Sequence, residues 1–274
     1  MIADNQNGSL RAACFSVAVL DYFCLQDEFF AGGNSLNQAV QYSRSGLDCA
    51  FVGAVGDDLP GQRLSALLET HGIDTSHMYR MDGETARNWI RVDEAGERFG
   101  VMGTWRGGVF EDFRLNEADW DFLADFDIWS TLAGCPNFVE TLRRKTSKQC
   151  LAVDFLHLED FAQLENSLGE IDIAFVGGES RQVQPLQELA AKMDALIVLT
   201  LGAKGSMAFH GSRVFAQDAL PVDIVIDTTG CGDAFQAAFC HSYVKSRDIQ
   251  LSLQAGSHAA RARTMRFGGV SWSA

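Results

Sequence analysis

Short apolar runs alternate along this chain with segments of helical hydrophobic period, and this alternation constrains the fold more than any other feature of the sequence. The runs predicted as strands are Cys14–Leu20, Cys49–Val55, Asp127–Leu132, Cys150–Phe155, Ile171–Val176 and Ala195–Leu201. Amphipathic segments between the runs predict helices, and strands that alternate with helices form βαβ units. The pattern therefore predicts an α/β fold in which helices cover both faces of a mostly parallel sheet, a three-layer α/β/α domain.

The predicted helices carry recognisable end signals. They are Ser35–Ser45, Gly61–His71, Glu117–Asp125, Phe138–Lys145, Glu159–Leu168, Leu186–Met193, about Cys231–Val244 and about Leu251–Arg266. Asn116 is placed to cap the helix that starts at Glu117, while Gly46 and Gly72 follow helix ends. These signals support the helix assignments independently of the hydrophobic period.

Two stretches, about residues 20–31 and 78–106, break the alternation because they contain strand-like pieces without long helices between them. Residues 88–92 (NWIRV), the turn 93–97 (DEAGE) and residues 98–102 predict a β-hairpin. We expect the two stretches to form a small β-sheet that stands off the main domain. With 274 residues, the chain is predicted to be one domain, residues 1–274, that carries this small sheet.

The charge and the cysteines narrow the partners. The chain carries 22 Lys and Arg against 36 Asp and Glu, a formal net charge of −14. Such an acidic protein repels nucleic acid and anionic membranes at long range, although backbone N–H groups can still hold a small anion. No apolar stretch approaches the roughly 20 residues of a membrane span. Seven cysteines without a C-x-x-C pair predict reduced thiols and a cytoplasmic protein.

The most informative stretch is a glycine-rich helix start, residues 227–233 (DTTGCGD), which follows the apolar run Val222–Ile226, predicted as a further strand. The glycines Gly230 and Gly232 let the backbone approach a ligand closely. Free N–H groups of the first helical turn and the helix dipole favour an anion there, such as a phosphate. The residue Asp233 lies in the same turn and is expected to stay ionised, so that it can act as a general base. As an isolated motif, the stretch is better explained by a carboxylate that only caps the helix.

Two other glycine loops add to this stretch. Residues 200–206 (TLGAKGS) end a predicted strand, and residues 32–37 (GGNSLN) open the first helix. Glycines in both loops permit close approach, and Asn37 offers amide hydrogen bonds to a hydroxylated ligand. The sequence has neither a Walker A motif nor G-x-G-x-x-G, which removes the main support for P-loop and dinucleotide-binding enzymes.

Taken together, these segments resemble the ribokinase or PfkB family of sugar and nucleoside kinases. The resemblance extends from about Cys14 to Trp272, with the segments in family order. The block 32–74 resembles the N-terminal signature of the family, including the turn Gly56-Asp57-Asp58 followed by Gly61. The block 227–235 (DTTGCGDAF) resembles the second signature, in which the family usually has alanine at the position of Cys231. The helix N-terminus is expected to lower the pKa of this thiol.

The resemblance implies transfer of the γ-phosphoryl group of ATP to a primary alcohol. Asp233 matches the catalytic base, and the N–H groups of Gly230, Cys231 and Gly232 match the anion hole. The positions that match the nucleotide site are Thr200, Gly202, Gly205, Thr228 and His258. The positions that match the sugar site are Asp21, Gly32, Gly33 and Asn37, with Asp21 at the end of the first strand. The stand-off sheet matches the β-sheet lid of the family, which shields the reaction and often mediates dimers, so a homodimer through the lid is expected.

The chain departs from the family at one place. The family usually has N-x-x-E after the strand that here is Ile171–Val176, where it organises Mg²⁺ and phosphate. This chain has residues 177–181 (GGESR), in which Glu179 is only a shifted candidate. ATP and Mg²⁺, with a monovalent cation as a further option, are the implied cofactors, but the metal ligands stay unknown.

The substrate is left open by the motifs. The short chain, the GGN-x-x-N form and the ending GGVSW resemble fructoselysine 6-kinase-like members, which phosphorylate an Amadori adduct of a sugar and an amino acid. Polar side chains of the predicted lid are available to meet a substrate carboxylate, namely Arg87, Asn88, Arg91, Arg98 and Arg106; a solvated basic strand face is the plainer explanation. Ribose, ketodeoxygluconate, fructose 1-phosphate and nucleosides are alternative substrates. A catalytically silent sugar- or nucleotide-binding protein and, on the α/β pattern alone, a nicotinamide-dependent oxidoreductase are the alternatives from other classes.

Overall fold

An eight-stranded sheet forms the middle layer of the computed structural model, which describes residues 9–272. In chain order its strands are β1 (Arg11–Cys14), β4 (Asp48–Phe51), β9 (Ile128–Leu132), β10 (Cys150–His157), β11 (Ile173–Gly177), β12 (Leu196–Thr200), β13 (Ser206–His210) and β14 (Arg213–Gln217). The spatial order is β14-β13-β12-β11-β10-β9-β1-β4, and the six strands from β12 to β4 pair in parallel. The ends of the parallel strands therefore meet at one edge of the sheet.

Helices cover both faces of this sheet, as the alternation predicts. The helices are α1 (Asn34–Arg44), α2 (Leu59–Thr70), α3 (Glu117–Leu123), α4 (Phe138–Arg144), α5 (Ala162–Ser167), α6 (Val183–Met193), α7 (Cys231–Ser246) and α8 (Ile249–Arg263). Side chains of α1, α2, α7 and α8 share one buried cluster with one set of alternate strand residues, among them Cys14 and Ala152. Side chains of α3 to α6 share a second cluster with the other set, among them Ala13 and Val153. The three-layer prediction is confirmed.

Most predicted helix ends are confirmed in detail. Asn116 caps α3 through its side chain in a reciprocal capping box with Asp119. Gly46 and Gly72 have φ values of 81° and 68°, the left-handed conformation that glycine adopts without a steric cost. These turns end α1 and α2 where the chain must reverse towards the next strand.

A second sheet stands apart from the central one and has the order β3-β2-β7-β8. Its strands are β2 (Val19–Phe23), β3 (Glu28–Gly32), β7 (Arg87–Val92) and β8 (Arg98–Gly100). We call it the lid sheet. The predicted hairpin is its β7–β8 pair, which is antiparallel. Pairing of two copies of the chain through the lid sheet stays a prediction.

One part of the predicted lid belongs elsewhere. Strand β6 (Met78–Met81) pairs in parallel with β5 (Gly53–Gly56) in a separate two-stranded sheet, and not with the lid sheet. The lid therefore takes only the later part of the range 78–106.

Several strand predictions were wrong where the chain changes sheet. The apolar runs Cys14–Leu20 and Cys49–Val55 are each divided between two sheets, because buried strands on either side of a bend give one continuous apolar run. The run Val222–Ile226 joins no ladder, and Ile224 is 72% exposed. The antiparallel hairpin of β13 and β14 at the sheet edge was not predicted. Within residues 9–272, no helix combines the length and the apolar composition that crossing a membrane would need.

Candidate active site

The N-terminus of α7 is the centre of the candidate site. Gly230 precedes the helix with φ 78°, and a Cβ there would lie 3.4 Å from the side-chain nitrogen Nδ2 of Asn37. The preceding Asp227 is fully buried, where its carboxylate accepts hydrogen bonds from the backbone N–H and the hydroxyl of Thr229 and from the N–H of Gly268. Asp227 thus holds the glycine turn in place. The N–H of Cys231 donates to the carbonyl oxygen of Thr228 at 3.1 Å, so the N–H groups of Gly230 and Gly232 are the ones available to an anion.

The carboxylate of Asp233, one turn further on, is held by two asparagines of α1. The Nδ2 of Asn37 donates to its Oδ2 at 2.6 Å, and the Nδ2 of Asn34 donates to its Oδ1 at 3.0 Å. Both asparagines are 8% exposed. Gly33 makes this approach possible, because it has φ 99° and a Cβ there would lie 2.5 Å from the carbonyl oxygen of Val17. The structure therefore brings together Asn37, Gly33 and Asp233, three of the residues singled out by the sequence.

Burial raises the pKa of Asp233 to about 7. Asn37 and Asn34 lower this pKa by donating to the ionised carboxylate, the negative charge of Asp154 raises it, and the positive charge of Arg98 lowers it. The expectation that the helix dipole keeps Asp233 firmly ionised was wrong, since the loss of hydration outweighs the helix N-terminus. A carboxylate with a pKa near neutrality is well matched to accept a proton from a hydroxyl and to release it again.

The expectation that the helix N-terminus lowers the pKa of Cys231 was also wrong. Burial raises the pKa of Cys231 to about 12, and the neighbouring carboxylates raise it further while Arg263 lowers it. The thiol donates to the carbonyl oxygen of Ala260 at 3.6 Å. Cys231 is therefore a packed residue with a protonated thiol, and it contributes its backbone, not its sulfur, to the first helical turn.

Asp21 lies in β2 of the lid sheet. The prediction that it ends the first strand of the central sheet was therefore wrong. It is 3% exposed, and burial raises its pKa to about 6, with Arg98 lowering and Asp227 raising that pKa. Gly32 lies against it, since a Cβ there would be 2.1 Å from the Oδ2 of Asp21. Gly32 thus leaves room for a carboxylate.

The guanidinium of Arg87 is engaged inside the chain. It donates to the Oδ2 of Asp58 at 3.1 Å and lies 3.8 Å from the carboxylate of Glu84. Asp58 also caps α2 through the N–H of Gly61 and accepts from Thr85. Arg87 as a substrate ligand stays a prediction, but its pairing indicates a structural role that ties β7 to the start of α2.

The tip of the β7–β8 hairpin contacts residues 227–230 (DTTG), the turn that precedes α7. The N–H of Thr228 donates to the carbonyl oxygen of Gly96 at 3.0 Å, and the hydroxyl of Thr228 accepts from the N–H of Arg98 at 3.1 Å. The positive charge of Arg98 lowers the pKa of both Asp21 and Asp233. The lid sheet therefore brings one positive charge to the site.

The loop after β12 has the backbone that its glycines predict. Gly202 has φ 58° and Gly205 has φ 90°, and a Cβ at Gly205 would lie 2.1 Å from the carbonyl oxygen of Gln217. The hydroxyl of Thr200 lies 3.4 Å from the carbonyl oxygen of Val176. His258 lines a groove between α1, α7 and α8 together with Gln41 and His241. The nucleotide contacts of these residues stay predictions.

The residues present do not fit a metal site built by the protein. Glu179, the shifted candidate, is exposed, and its carboxylate lies 3.4 Å from the guanidinium of Arg181. In the part of the chain from residue 9 to residue 272, no group of three or more His, Cys, Asp and Glu side chains is arranged to hold a metal ion.

Two residues of the site were missed by sequence reasoning. Asp154 at the end of β10 is 5% exposed, and its Oδ2 accepts from the same Nδ2 of Asn34 that donates to Asp233. A carboxylate inside the apolar run 150–155 (CLAVDF) was the available signal for Asp154, because buried carboxylates are rare unless they are partnered. Asn34 lies in the glycine motif that was singled out, but it had no role assigned.

The chain is similar in sequence and in structure to known proteins. The model of the pfkB family of carbohydrate kinases matches residues 24–273. Fructoselysine 6-kinase of Escherichia coli is 28% identical over 254 residues, which is 92% of this chain and 95% of that protein. Fructosamine kinase FrlD of Bacillus subtilis is 27% identical over 252 residues, 88% of this chain and 86% of that protein.

The fold agrees as well. Ribokinase of Arabidopsis thaliana, solved in complex with ribose and ATP, superposes with a TM-score of 0.79 at 18% identity, over 96% of this chain and 94% of that one. This similarity shows a ribokinase-like fold. Since the family model matches nearly the whole chain, the protein belongs to the pfkB family of carbohydrate kinases.

Proposed function

We propose that this sugar kinase transfers the γ-phosphoryl group of ATP to a primary hydroxyl of a sugar derivative, with an Amadori compound such as fructoselysine as the first candidate. The observation that carries the proposal is the carboxylate of Asp233, held by Asn34 and Asn37 at the N-terminus of α7 with a pKa near neutrality. A base and an anion-binding helix start are thus joined in one turn.

In this mechanism Asp233 accepts the proton of the acceptor hydroxyl as its oxygen attacks the γ-phosphorus. A new O–P bond forms, and the bond between the γ-phosphorus and the leaving oxygen of ADP breaks. The N–H groups of Gly230 and Gly232 stabilise the charge on the transferred group, joined by that of Cys231 once it leaves the carbonyl oxygen of Thr228, to which it donates at 3.1 Å. Because phosphoryl transfer depends chiefly on positioning and charge stabilisation, the rigid support of this turn by Asp227 matters as much as the base.

The acceptor site is proposed between the lid sheet and α1. The carboxylate of Asp21 offers two oxygens to a pair of sugar hydroxyls, and the Oδ1 of Asn37 is buried without a partner among the described residues. Arg98 supplies a positive charge that can pair with the carboxylate of an amino acid moiety. An anionic Amadori substrate is supported by this charge and by the names of the related kinases.

The nucleotide is proposed to lie along the loop after β12, with Thr200, Gly202, Gly205, Thr228 and His258 as its contacts. Since residues 9–272 contain no group of three or more His, Cys, Asp and Glu side chains arranged to hold a metal ion, we infer that Mg²⁺ enters bound to the phosphates of ATP, as it commonly does in phosphoryl-transfer enzymes.

The test is ADP release with MgATP across a panel of acceptors, namely fructoselysine, other Amadori adducts, fructose, ribose, ketodeoxygluconate and nucleosides. We expect turnover with an Amadori adduct, and a loss of at least about 10²-fold in kcat in Asp233→Asn with ATP affinity retained. Near-full turnover in Asp233→Asn would show that Asp233 is not the base. Turnover with a neutral sugar alone would keep the kinase and replace the proposed substrate.

A further inference from the structure

A buried polar chain links Asp233 to a second carboxylate. The Nδ2 of Asn34 donates to the Oδ2 of Asp154 at 2.9 Å and to the Oδ1 of Asp233 at 3.0 Å. A primary amide nitrogen carries two hydrogens, so both are used on the two carboxylates. Asn34 cannot turn its amide over without breaking both bonds, and its orientation is therefore fixed.

The backbone around Asp154 is shaped to present this side chain. The pairing of β10 with β11 shifts register between Asp154 and His157, an irregularity of the β-bulge type. Leu156 within it has φ 54°, a left-handed conformation that is uncommon for a residue other than glycine, and its N–H donates to the Oδ1 of Asp154 at 2.8 Å. Backbone strain of this kind is concentrated at functional sites.

We propose that Asp154 is a positioning residue for phosphoryl transfer, which acts through Asn34 to orient the carboxylate of Asp233 and to make it a stronger acceptor of the proton. This inference rests on the proposed function, in which Asp233 is the general base.

The electrostatic argument follows from the shared amide. The two carboxylate oxygens lie at most about 6 Å apart, because they are 2.9 and 3.0 Å from one nitrogen. A second negative charge at that distance disfavours ionisation of Asp233 and so raises its pKa. For two charges about 6 Å apart and an effective dielectric constant near 20, the shift is roughly two pH units.

The other charged and titratable groups near these two carboxylates lie on several elements. Arg98 of β8 lowers the pKa of Asp233. Burial raises the pKa of Asp154, against which hydrogen bonds from Gln236 and from the N–H of Leu156 and the charge of His157 of β10 lower it. The thiols of Cys14 in β1 and Cys231 in α7 are protonated, because burial raises the pKa of each. Asp154 is therefore the group whose negative charge opposes ionisation of Asp233.

The experiment compares the pH profiles of kcat/KM in the wild type, Asp154→Asn and Asn34→Ala, with the acceptor that gives turnover. We expect the acid limb of the wild type near pH 7. In Asp154→Asn it moves down by roughly two pH units, with a lower plateau because the base is weaker. In Asn34→Ala it moves up, because the charge of Asp154 remains while a donor to Asp233 is lost.

Asp127→Asn is the matched control. Asp127 precedes β9 at the opposite edge of the sheet, where its carboxylate accepts from the N–H of Arg11 at 2.9 Å. Its acid limb is expected to coincide with that of the wild type. The folded state of each variant is checked by circular dichroism across the pH range.

Opposite shifts in the two variants support the proposal, and an unmoved limb in a folded Asp154→Asn overturns it. If Asp154→Asn does not fold, the Asn34→Ala profile decides, since an unchanged limb there removes the proposed link. A wild type without an acid limb, or an active Asp233→Asn, would instead refute Asp233 as the base and hence the proposed function.

Discussion

Replacing Gly32 by alanine is expected to damage the sugar site through one contact, with the side chain of Asp21. The new Cβ would lie 2.1 Å from the Oδ2 and 2.9 Å from the Cγ of Asp21, whereas real Cβ contacts are longer than 3.0 Å. The carboxylate must therefore move by about 1 Å. The backbone of β2 gives little relief, because this strand pairs with β3 on one side and β7 on the other.

The magnitude follows from the size of this displacement. A misplacement of about 1 Å in a substrate-positioning group costs roughly 10²-fold in rate, which corresponds to about 2.7 kcal/mol of transition-state stabilisation. Forcing a methyl group into a filled site also costs about 1–3 kcal/mol of folding free energy. Gly32→Ala is therefore expected to lower both kcat/KM for the acceptor and the free energy of unfolding.

A double-mutant cycle with Asp21→Ala isolates the contact. In the Asp21→Ala background the obstructing carboxylate is absent, so adding Gly32→Ala is expected to cost little in urea-unfolding free energy and little further kcat/KM. Gly169→Ala is the control, since no atom lies within 4 Å of a Cβ built there. Equal losses from Gly32→Ala in both backgrounds would refute the reasoning, because the cost would then not pass through Asp21.

Two further predictions concern titrating groups of the site. Burial raises the pKa of Asp233 from its ordinary value of 3.8 to about 7, so between these pH values the folded chain holds a proton that the unfolded chain has lost. The stability that this retained proton gives to the folded chain is present below about pH 4 and is lost as the pH rises to 7. The loss is at most about 1.4 kcal/mol of unfolding free energy per pH unit, and less because the side chain is only partly buried. The unfolding free energy of the wild type minus that of Asp233→Asn is therefore expected to fall between pH 5 and pH 7 in urea titrations; a constant difference would show that Asp233 ionises normally. Because burial raises the pKa of Cys231 to about 12, iodoacetamide at pH 7.5 is expected to leave this thiol unlabelled in peptide mass mapping. The same treatment of a Cys24→Ser variant is expected to leave its activity intact. Rapid labelling of Cys231 would contradict this.

The sequence was sufficient for the main layers of the fold but not for its changes of sheet. Six of the seven apolar runs predicted as strands overlap a strand of the central sheet, since each buried strand leaves an apolar run between amphipathic helices. The run Cys14–Leu20 crosses from β1 into the lid sheet without any polar residue that would mark the bend except Ser16. Strand β6 was wrongly predicted to belong to the lid, because its partner β5 lies in the same apolar run as β4. The hydrophobic period does not show which strands pair with each other.

The candidate site could be predicted where short motifs place residues in one turn, as for Gly230 and Asp233. Contacts between distant segments could not be predicted in this way. Asn34 and Asp154 are 120 residues apart, and Arg87 meets Asp58 across 29 residues. Only the packing of α1 against the sheet and α7 brings the two asparagines onto Asp233.

The protonation of the site shows why two electrostatic expectations failed in the same direction. A helix N-terminus stabilises a nearby negative charge by about 0.3–1 kcal/mol when the group is exposed. The pKa of Cys231 rises instead from 9.0 to about 12, a change that corresponds to roughly 4 kcal/mol in favour of the neutral thiol. Removing water from a side chain therefore outweighs the dipole at this helix start. Asp233 loses water in the same way, but two amide donors recover part of the loss, and its pKa stops near 7 where a base can still work. Both pKa values rise by about 3 units, so the inert thiol and the usable base, two residues apart, differ because the ordinary pKa is 9.0 for a thiol and 3.8 for a carboxylate, while Asn34 and Asn37 keep the pKa of Asp233 from rising further.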